Sequence, residues 1–262
     1  METHVPMERI NLRTREREKL EEPVAIESPV NIYVNGEHIV TLLASPELKR
    51  ELVLGWLLDE GILKSLDEID EVHVKENDVK VKTKKDIRAR LKAATMMRLV
   101  TTACGSISDF IKLIDRVSKP FVKSTYSVKA EDVLSMVAKL NEMSKVFRSC
   151  GGTHSAALFC DGRLVAQAED VGRHNAVDKV IGVGALKGVN FGECVLVTSG
   201  RQTVDMPMKA ARVGIPIIAS ITAPTHSAIM AAEKTGVTLI CFVRGHRMNV
   251  YSYPHRVSIN GG

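Results

Sequence analysis

The chain has 262 residues, enough for one large domain or a domain with an appendage, and 45% of them are hydrophobic, which excludes a disordered chain. Its formal net charge of +5 suits a polyanionic ligand or an acidic partner. Lys and Arg are nevertheless interleaved with Asp and Glu, which argues against generic nucleic-acid binding.

The opening "METHVPMERINLRTREREKLEEP" is charged and lacks the apolar core of a signal peptide, and no later run is long enough to span a bilayer, so a cytoplasmic protein is expected. "NIYVNGEHIVTLL" reads as a hairpin turning at Asn35-Gly36. Ser45 and Pro46 then supply an N-cap and a first-turn proline for a helix carrying Leu48, Leu52 and Trp56, stopped by Gly61. "VHVKENDVKVKTKK" alternates as a half-exposed hairpin. Next comes "LVTTACGSISDF", where Cys104 sits among small polar residues and glycine, a setting for an exposed thiol rather than a core side chain. A short helical piece with Phe110, Ile111, Leu113 and Ile114 precedes Pro120, and a domain boundary falls near there.

From Ser127, the spacing of Val133, Met136, Leu140, Met143 and Phe147 predicts one long helix closed by Gly151-Gly152. "SAALFC" and "RLVAQA" flank Asp161-Gly162 as another hairpin, and a helix opens around "DVGRHNAVDKV". The apolar runs "CVLVTS", "IPIIASI" and "VTLICFV" then alternate with the helical segments "VDMPMKAARV" and "THSAIMAAEKT". That order indicates an α/β domain, 121–262, with a mainly parallel sheet covered on both faces, preceded by a smaller α+β region, 1–120.

In such a sheet, ligands bind beyond the carboxyl ends of the strands. Three turns there combine Gly with Arg: Glu169 to Asn175, Gly200-Arg201, and Arg244 to Arg247. Glycine lets the backbone approach a phosphate and guanidinium matches its oxygens, so the recurrence points to a phosphate-bearing ligand. Taken singly, each pair reads more simply as an ordinary turn with a surface charge. Asp170 and Asp178 read as helix caps or partners of Arg173, capping being the simpler role for Asp170. No P-loop is present, and "GVGALKG" lacks the strand-then-turn setting of a dinucleotide fingerprint. The element order is that of the cytidine deaminase fold, but the helix starts read Arg173-His174-Asn175 and Arg201-Gln202-Thr203 where zinc deaminases carry H-x-E and P-C-x-x-C. No metal site is expected.

The cysteines, Cys104, Cys150, Cys160, Cys194 and Cys241, are odd in number and hold no C-x-x-C pair, which argues against a disulfide framework and against structural zinc. Cys160, Cys194 and Cys241 fall in predicted strands as small buried hydrophobes. Cys150, beside a glycine pair, is a second candidate thiol.

The phrases "EDVGRHNAVDKVIG", "VTSGRQT", "VGIPIIASITAPT" and "FVRGHRMNVYSYPHRV" resemble the FdhD family of formate dehydrogenase accessory sulfurtransferases, with the likeness running from about Glu22 to Val257. The resemblance implies a cytidine deaminase-like three-layer domain and a homodimer. It implies that sulfur passes from a cysteine desulfurase to the molybdenum cofactor of formate dehydrogenase. Cys104 matches the loop cysteine that carries persulfide in the family. Ile107 stands where many members have a second cysteine, so a single-thiol relay is expected. The segment Phe242-Val243-Arg244-Gly245-His246-Arg247 matches the family's binding segment for Mo-bis-molybdopterin guanine dinucleotide, of which GDP is a partial mimic. Arg173, His174, Asn175 and Arg201 complete the expected pocket. Two other readings remain open from the sequence: a chaperone that only holds the cofactor, and a nucleotide hydrolase on a deaminase-like scaffold. No nucleic-acid or membrane partner is expected.

Overall fold

The structure is a computed structural model that describes residues 1–94 and 120–259. Arg98, Cys104, Ile107 and the short helix expected at Phe110–Ile114 lie outside the described residues.

The first element is absent from the sequence reading. β1 (Glu2–Asn11) and β2 (Glu16–Ala25) pair antiparallel as a separate two-stranded ribbon. Most of its side chains are exposed, so no one-sided apolar alternation marks it in the sequence.

Next, β3 (Ser28–Val34), β4 (Glu37–Ala44), β5 (Ile69–Lys75) and β6 (Asp78–Thr83) form a sheet in the order β4-β3-β6-β5. Both expected hairpins are there, and Asn35 and Gly36 take φ of 51° and 88°, the left-handed pair that a tight turn between twisted strands requires. The helix α1 (Lys49–Asp59) packs Leu52, Val53, Trp56 and Leu57 onto Val30, Ile32, Val79 and Val81 of this sheet.

β7 (Val128–Lys129) leads into α2 (Ala130–Met143) and α3 (Lys145–Cys150). The single long helix expected here is two helices, broken at Ser144 with ψ of 69°. The break has a physical cause: the Glu169 carboxylate accepts from the backbone N–H groups of Val146 and Phe147 at 3.0 and 2.8 Å, capping a new helix start, and Phe147 turns outward.

The main sheet runs β13-β12-β11-β10-β8-β9, from β8 (His154–Cys160), β9 (Arg163–Asp170), β10 (Cys194–Thr198), β11 (Ile217–Ser220), β12 (Thr238–Arg244) and β13 (Arg247–Val250). Only the β10–β11 and β11–β12 pairings are parallel, so the sheet is mixed rather than mainly parallel: hairpins flank a parallel centre. Helices do cover both faces. α4 (Arg173–Leu186), α5 (Asp205–Val213) and α6 (His226–Thr235) bury one face, with Val177, Ile181, Met206 and Ala228 against Leu158, Leu196 and Leu239. α2 buries the other through Val133, Val137 and Leu140 against Phe159, Val195 and Ile217. A last short strand, β14 (Val257–Ser258), pairs with β7.

Contrary to expectation, Cys160 and Cys194 are disulfide-bonded. They are cross-strand partners of β8 and β10 with Cα atoms 4.0 Å apart, a pairing fixed by sheet register and hidden from any count of cysteines. Cys241 is free and fully buried in the core, as expected.

Two contacts weld α1 to α4 and so position the start of α4. The helices cross backbone to backbone: a Cβ on Gly55 would lie 1.8 Å from the Asp178 carbonyl oxygen, and one on Gly182 would lie 1.9 Å from that of Glu51. Ser45 was expected to cap α1, yet the residue before that helix is Leu48 in a left-handed turn (φ 58°). Ser45 is instead wholly buried against β9 and α4. Its N–H donates to Asp170 Oδ2 (3.0 Å), its Oγ accepts from Val171 N–H (3.2 Å), and its carbonyl accepts from Lys179 Nζ (3.0 Å).

Candidate functional site

Strand polarity brings the Gly-Arg turns to one edge. β9, β10, β11 and β12 end there and β8 begins there, because β8 runs antiparallel to both neighbours. Backbone pairing then locks the edge loops together. Ser199 N–H donates to Ser155 O (2.9 Å), Gln202 N–H to Ala223 O (3.1 Å), Thr225 N–H to Gln202 O (2.9 Å) and Phe242 N–H to Thr222 O (3.1 Å). The Gly200 carbonyl accepts from Ser220 Oγ and Gln202 Nε2, both at 2.9 Å.

Arg173 and His174 are the first two residues of α4, half-buried beyond the end of β9, and no side chain caps that helix start. Arg173 lies against Gly200: a Cβ there would come within 2.9 Å of the Arg173 Cβ, so this turn needs glycine for close approach. Arg173 Nε is shielded from solvent with no hydrogen-bond partner among the described residues. His174 Nε2 is 3.5 Å from Asp205 Oδ2 on α5. Burial works against the Asp205 carboxylate, but the hydrogen bond and charge of His174, with Lys209 and Arg173, hold it below its ordinary range. His154, which the sequence reading did not single out, faces the same group: burial first, then Arg173, His174 and Arg201, push its imidazole below the usual histidine value. Its only signal in the sequence is its place directly before the strand expected at "SAALFC".

Asn175 is placed differently. It is buried, and its Nδ2 donates to Leu43 O at 2.8 Å and to Asp170 Oδ1 at 2.9 Å, a structural brace behind the site. Asp170 also accepts from Gly172 N–H at 2.9 Å and pairs with Lys179 at 2.7 Å, while Asp178 pairs with Lys209 at 2.8 Å. Neither aspartate has an ion pair with Arg173.

The segment Phe242–Arg247 ends β12 and turns into β13. A bulge between Cys241 and Arg244 puts Phe242 in the left-handed region (φ 54°), so Cys241 and Phe242 pack on one face of the sheet while Val243 is buried on the other. Arg244, Gly245, His246 and Arg247 are exposed, and the Arg244 guanidinium lies 5.6 Å from the Phe242 ring centroid. β12 is two strands from β10, about 10 Å at ordinary strand spacing, so these arginines and the Arg173–Arg201 group form two basic stations along one edge. Among the described residues no group of three or more His, Cys, Asp or Glu side chains is arranged to hold a metal ion, and no helix is long and apolar enough to cross a membrane.

Of the other thiols, Cys150 is half-buried with Sγ donating to Val146 O at 3.2 Å. Burial pushes the Cys241 thiol up to about 12, which keeps it protonated and inert.

Fold and site define an α/β sandwich with a basic strand-edge site joined to a smaller α+β unit. The chain belongs to the FdhD/NarQ family, whose profile matches residues 25–258. It is 38% identical to the sulfur carrier protein FdhD of Methanothermobacter thermautotrophicus, over 92% of this chain and 94% of that one. It is 36% identical to the protein of the same name from Thermoplasma acidophilum, over 89% and 86%. A crystal structure from Desulfotalea psychrophila, provisionally assigned as a formate dehydrogenase accessory protein, superimposes with a TM-score of 0.79 at 28% identity and covers 98% of this chain and 99% of its own.

Proposed function

We propose that the protein is a sulfur carrier that serves formate dehydrogenase. The observation that carries this reading is family membership across almost the whole chain, together with relatives named sulfur carrier protein FdhD. In this reading Cys104 is the carrier. Its thiolate attacks the terminal sulfur of a cysteine desulfurase persulfide; the S–S bond to the desulfurase breaks, that enzyme's thiolate leaves, and Cys104 holds the sulfane sulfur. The substrate that receives the sulfur is the molybdenum cofactor, Mo-bis-molybdopterin guanine dinucleotide.

The basic edge suits that substrate. Its two stations match a ligand with separated charged groups: Arg244 and Arg247 flank the hairpin, and Arg173, His174 and Arg201 form the second. The partnerless Arg173 Nε is a donor waiting for an anion oxygen. The strand order β9-β8-β10-β11-β12 supports a cytidine deaminase-like fold for this layer. A cytoplasmic homodimer is part of the same proposal.

The test is to incubate the protein with a cysteine desulfurase and L-cysteine and to map adducts by non-reducing mass spectrometry. One added sulfur on Cys104, absent from Cys104→Ala, is the expected result. An unmodified Cys104, while the desulfurase loads another acceptor, overturns the carrier reading in favour of a holding role.

A further inference from the structure

We propose that His154 is the fourth basic group of the strand-edge site, and that it takes up a proton when a dianion, whether a diphosphate ester or a free tetrahedral oxyanion, enters beside Arg173, His174 and Arg201. The inference rests on reading this edge as the substrate's phosphate site.

Among the described residues, the charged groups that act on His154 are all basic. Arg173 and His174 come from the start of α4, and Arg201 comes from the loop after β10, which is bonded to the start of β8 beside His154: Ser199 N–H donates to Ser155 O and Ser155 N–H to Ser199 Oγ, both at 2.9 Å. The acidic groups nearby are engaged elsewhere. Asp170, directly across from His154 in the β9 register, is bound to Lys179, to Ser45 N–H and to Gly172 N–H. Glu169 caps α3 and accepts from Thr153 Oγ1 at 3.0 Å. Asp205 sits on His174. The Arg173 Nε has no acceptor among the described residues. Among them, four basic side chains thus share one edge with Asp205 as the carboxylate beside them. Burial and those positive neighbours keep the imidazole neutral in the free protein at neutral pH. A dianion reverses the local field: it offsets the guanidinium charges and offers an acceptor, so protonated His154 becomes the stable form in the complex. Linkage then requires affinity to rise as pH falls, by at most about tenfold per pH unit for one proton, between the free and bound values of the group.

Sulfate is the first probe because it keeps both charges across the relevant pH range; GDP is the second, as the diphosphate ester. Each is titrated into the full-length protein by calorimetry at pH 7.5, 6.75 and 6.0, in two buffers of different ionisation enthalpy. The His154 Cε1–H resonance is followed by NMR, assigned with His154→Gln. The expected result is sulfate affinity about fivefold higher at the lowest pH than at the highest, proton uptake visible as a buffer-dependent heat, and an upward move of the His154 titration with sulfate. His154→Gln, checked by thermal melting, is expected to bind with a flattened pH dependence, and Arg201→Ala to weaken binding at every pH. His154→Asn serves if the Gln variant melts early. Binding of GDP but not sulfate, with the same upward move of the His154 titration, identifies the ester as the source of the dianion. Binding without proton uptake, or with the wild-type pH slope retained in His154→Gln, overturns this inference and leaves the site reading standing. Absence of binding by both probes at every pH overturns both.

Discussion

Lys209 shows how a single side chain holds the scaffold beneath the site. It is almost wholly buried, with Nζ 2.6 Å from Asp59, 2.8 Å from Asp178 and 3.3 Å from Glu60. Burial opposes its charge, but Asp178, Asp59 and Glu60 outweigh that and raise its pKa, so it stays an ammonium. Burial and the charge of Asp178 push the Asp59 carboxyl well above its usual range. Replacing the cation leaves carboxylates stranded in the interior, so Lys209→Met is expected to cost about 3–5 kcal/mol in urea denaturation at pH 8. Without Lys209 the folded pKa of Asp59 rises further above its unfolded value. Stability from such a raised carboxyl is present at low pH and is lost as pH rises through the folded pKa, so the deficit should shrink at pH 5; an equal deficit at both pH values refutes this account. None of the partners was legible from spacing. Asp178 read as a cap or a partner of Arg173, and its true partner lies on a different helix, 31 positions on in the chain.

At the scale of elements, periodicity and turn chemistry located most helices and strands but not their interruptions. Asn35-Gly36 and Asp161-Gly162 form the expected turns because only the left-handed region suits both positions, and Asp161 and Gly162 adopt φ of 49° and 70°. The break at Ser144 was hidden because Glu169, which causes it, is two strands away in sequence. The bulge at Phe242 was hidden because an unbroken apolar run looks the same with or without it. The α1–α4 crossing makes a sharper prediction. Gly55→Ala or Gly182→Ala inserts a methyl group into a backbone carbonyl, and the helices must separate. Each variant is expected to lose about 3 kcal/mol or more, read as a fall in melting temperature. A wild-type melt in either variant contradicts the close crossing.

For the whole molecule, the sequence suggested two regions, 1–120 and 121–262. Across them run the glycine crossing, the Ser45–Asp170–Lys179 contacts and the Asp59–Lys209–Asp178 group. Residues 121–262 expressed alone would leave Lys179 and Lys209 without part of their shell and expose the face of α4 against which α1 packs. That fragment is expected to show no cooperative melt, and a sharp transition would establish it as an independent domain. By itself the sequence determined the α/β character, the two-sided helical cover, the tight turns and the family, because hydrophobic period, turn residues and long motifs are written in neighbouring positions. Only the tertiary structure decided the mixed strand directions, the Cys160–Cys194 bond, the inward turn of Asn175 and the arrival of His154 beside Arg173 and Arg201. Each of those depends on register and packing between segments far apart in the chain, and a local pattern carries no information about which distant partner a side chain will meet.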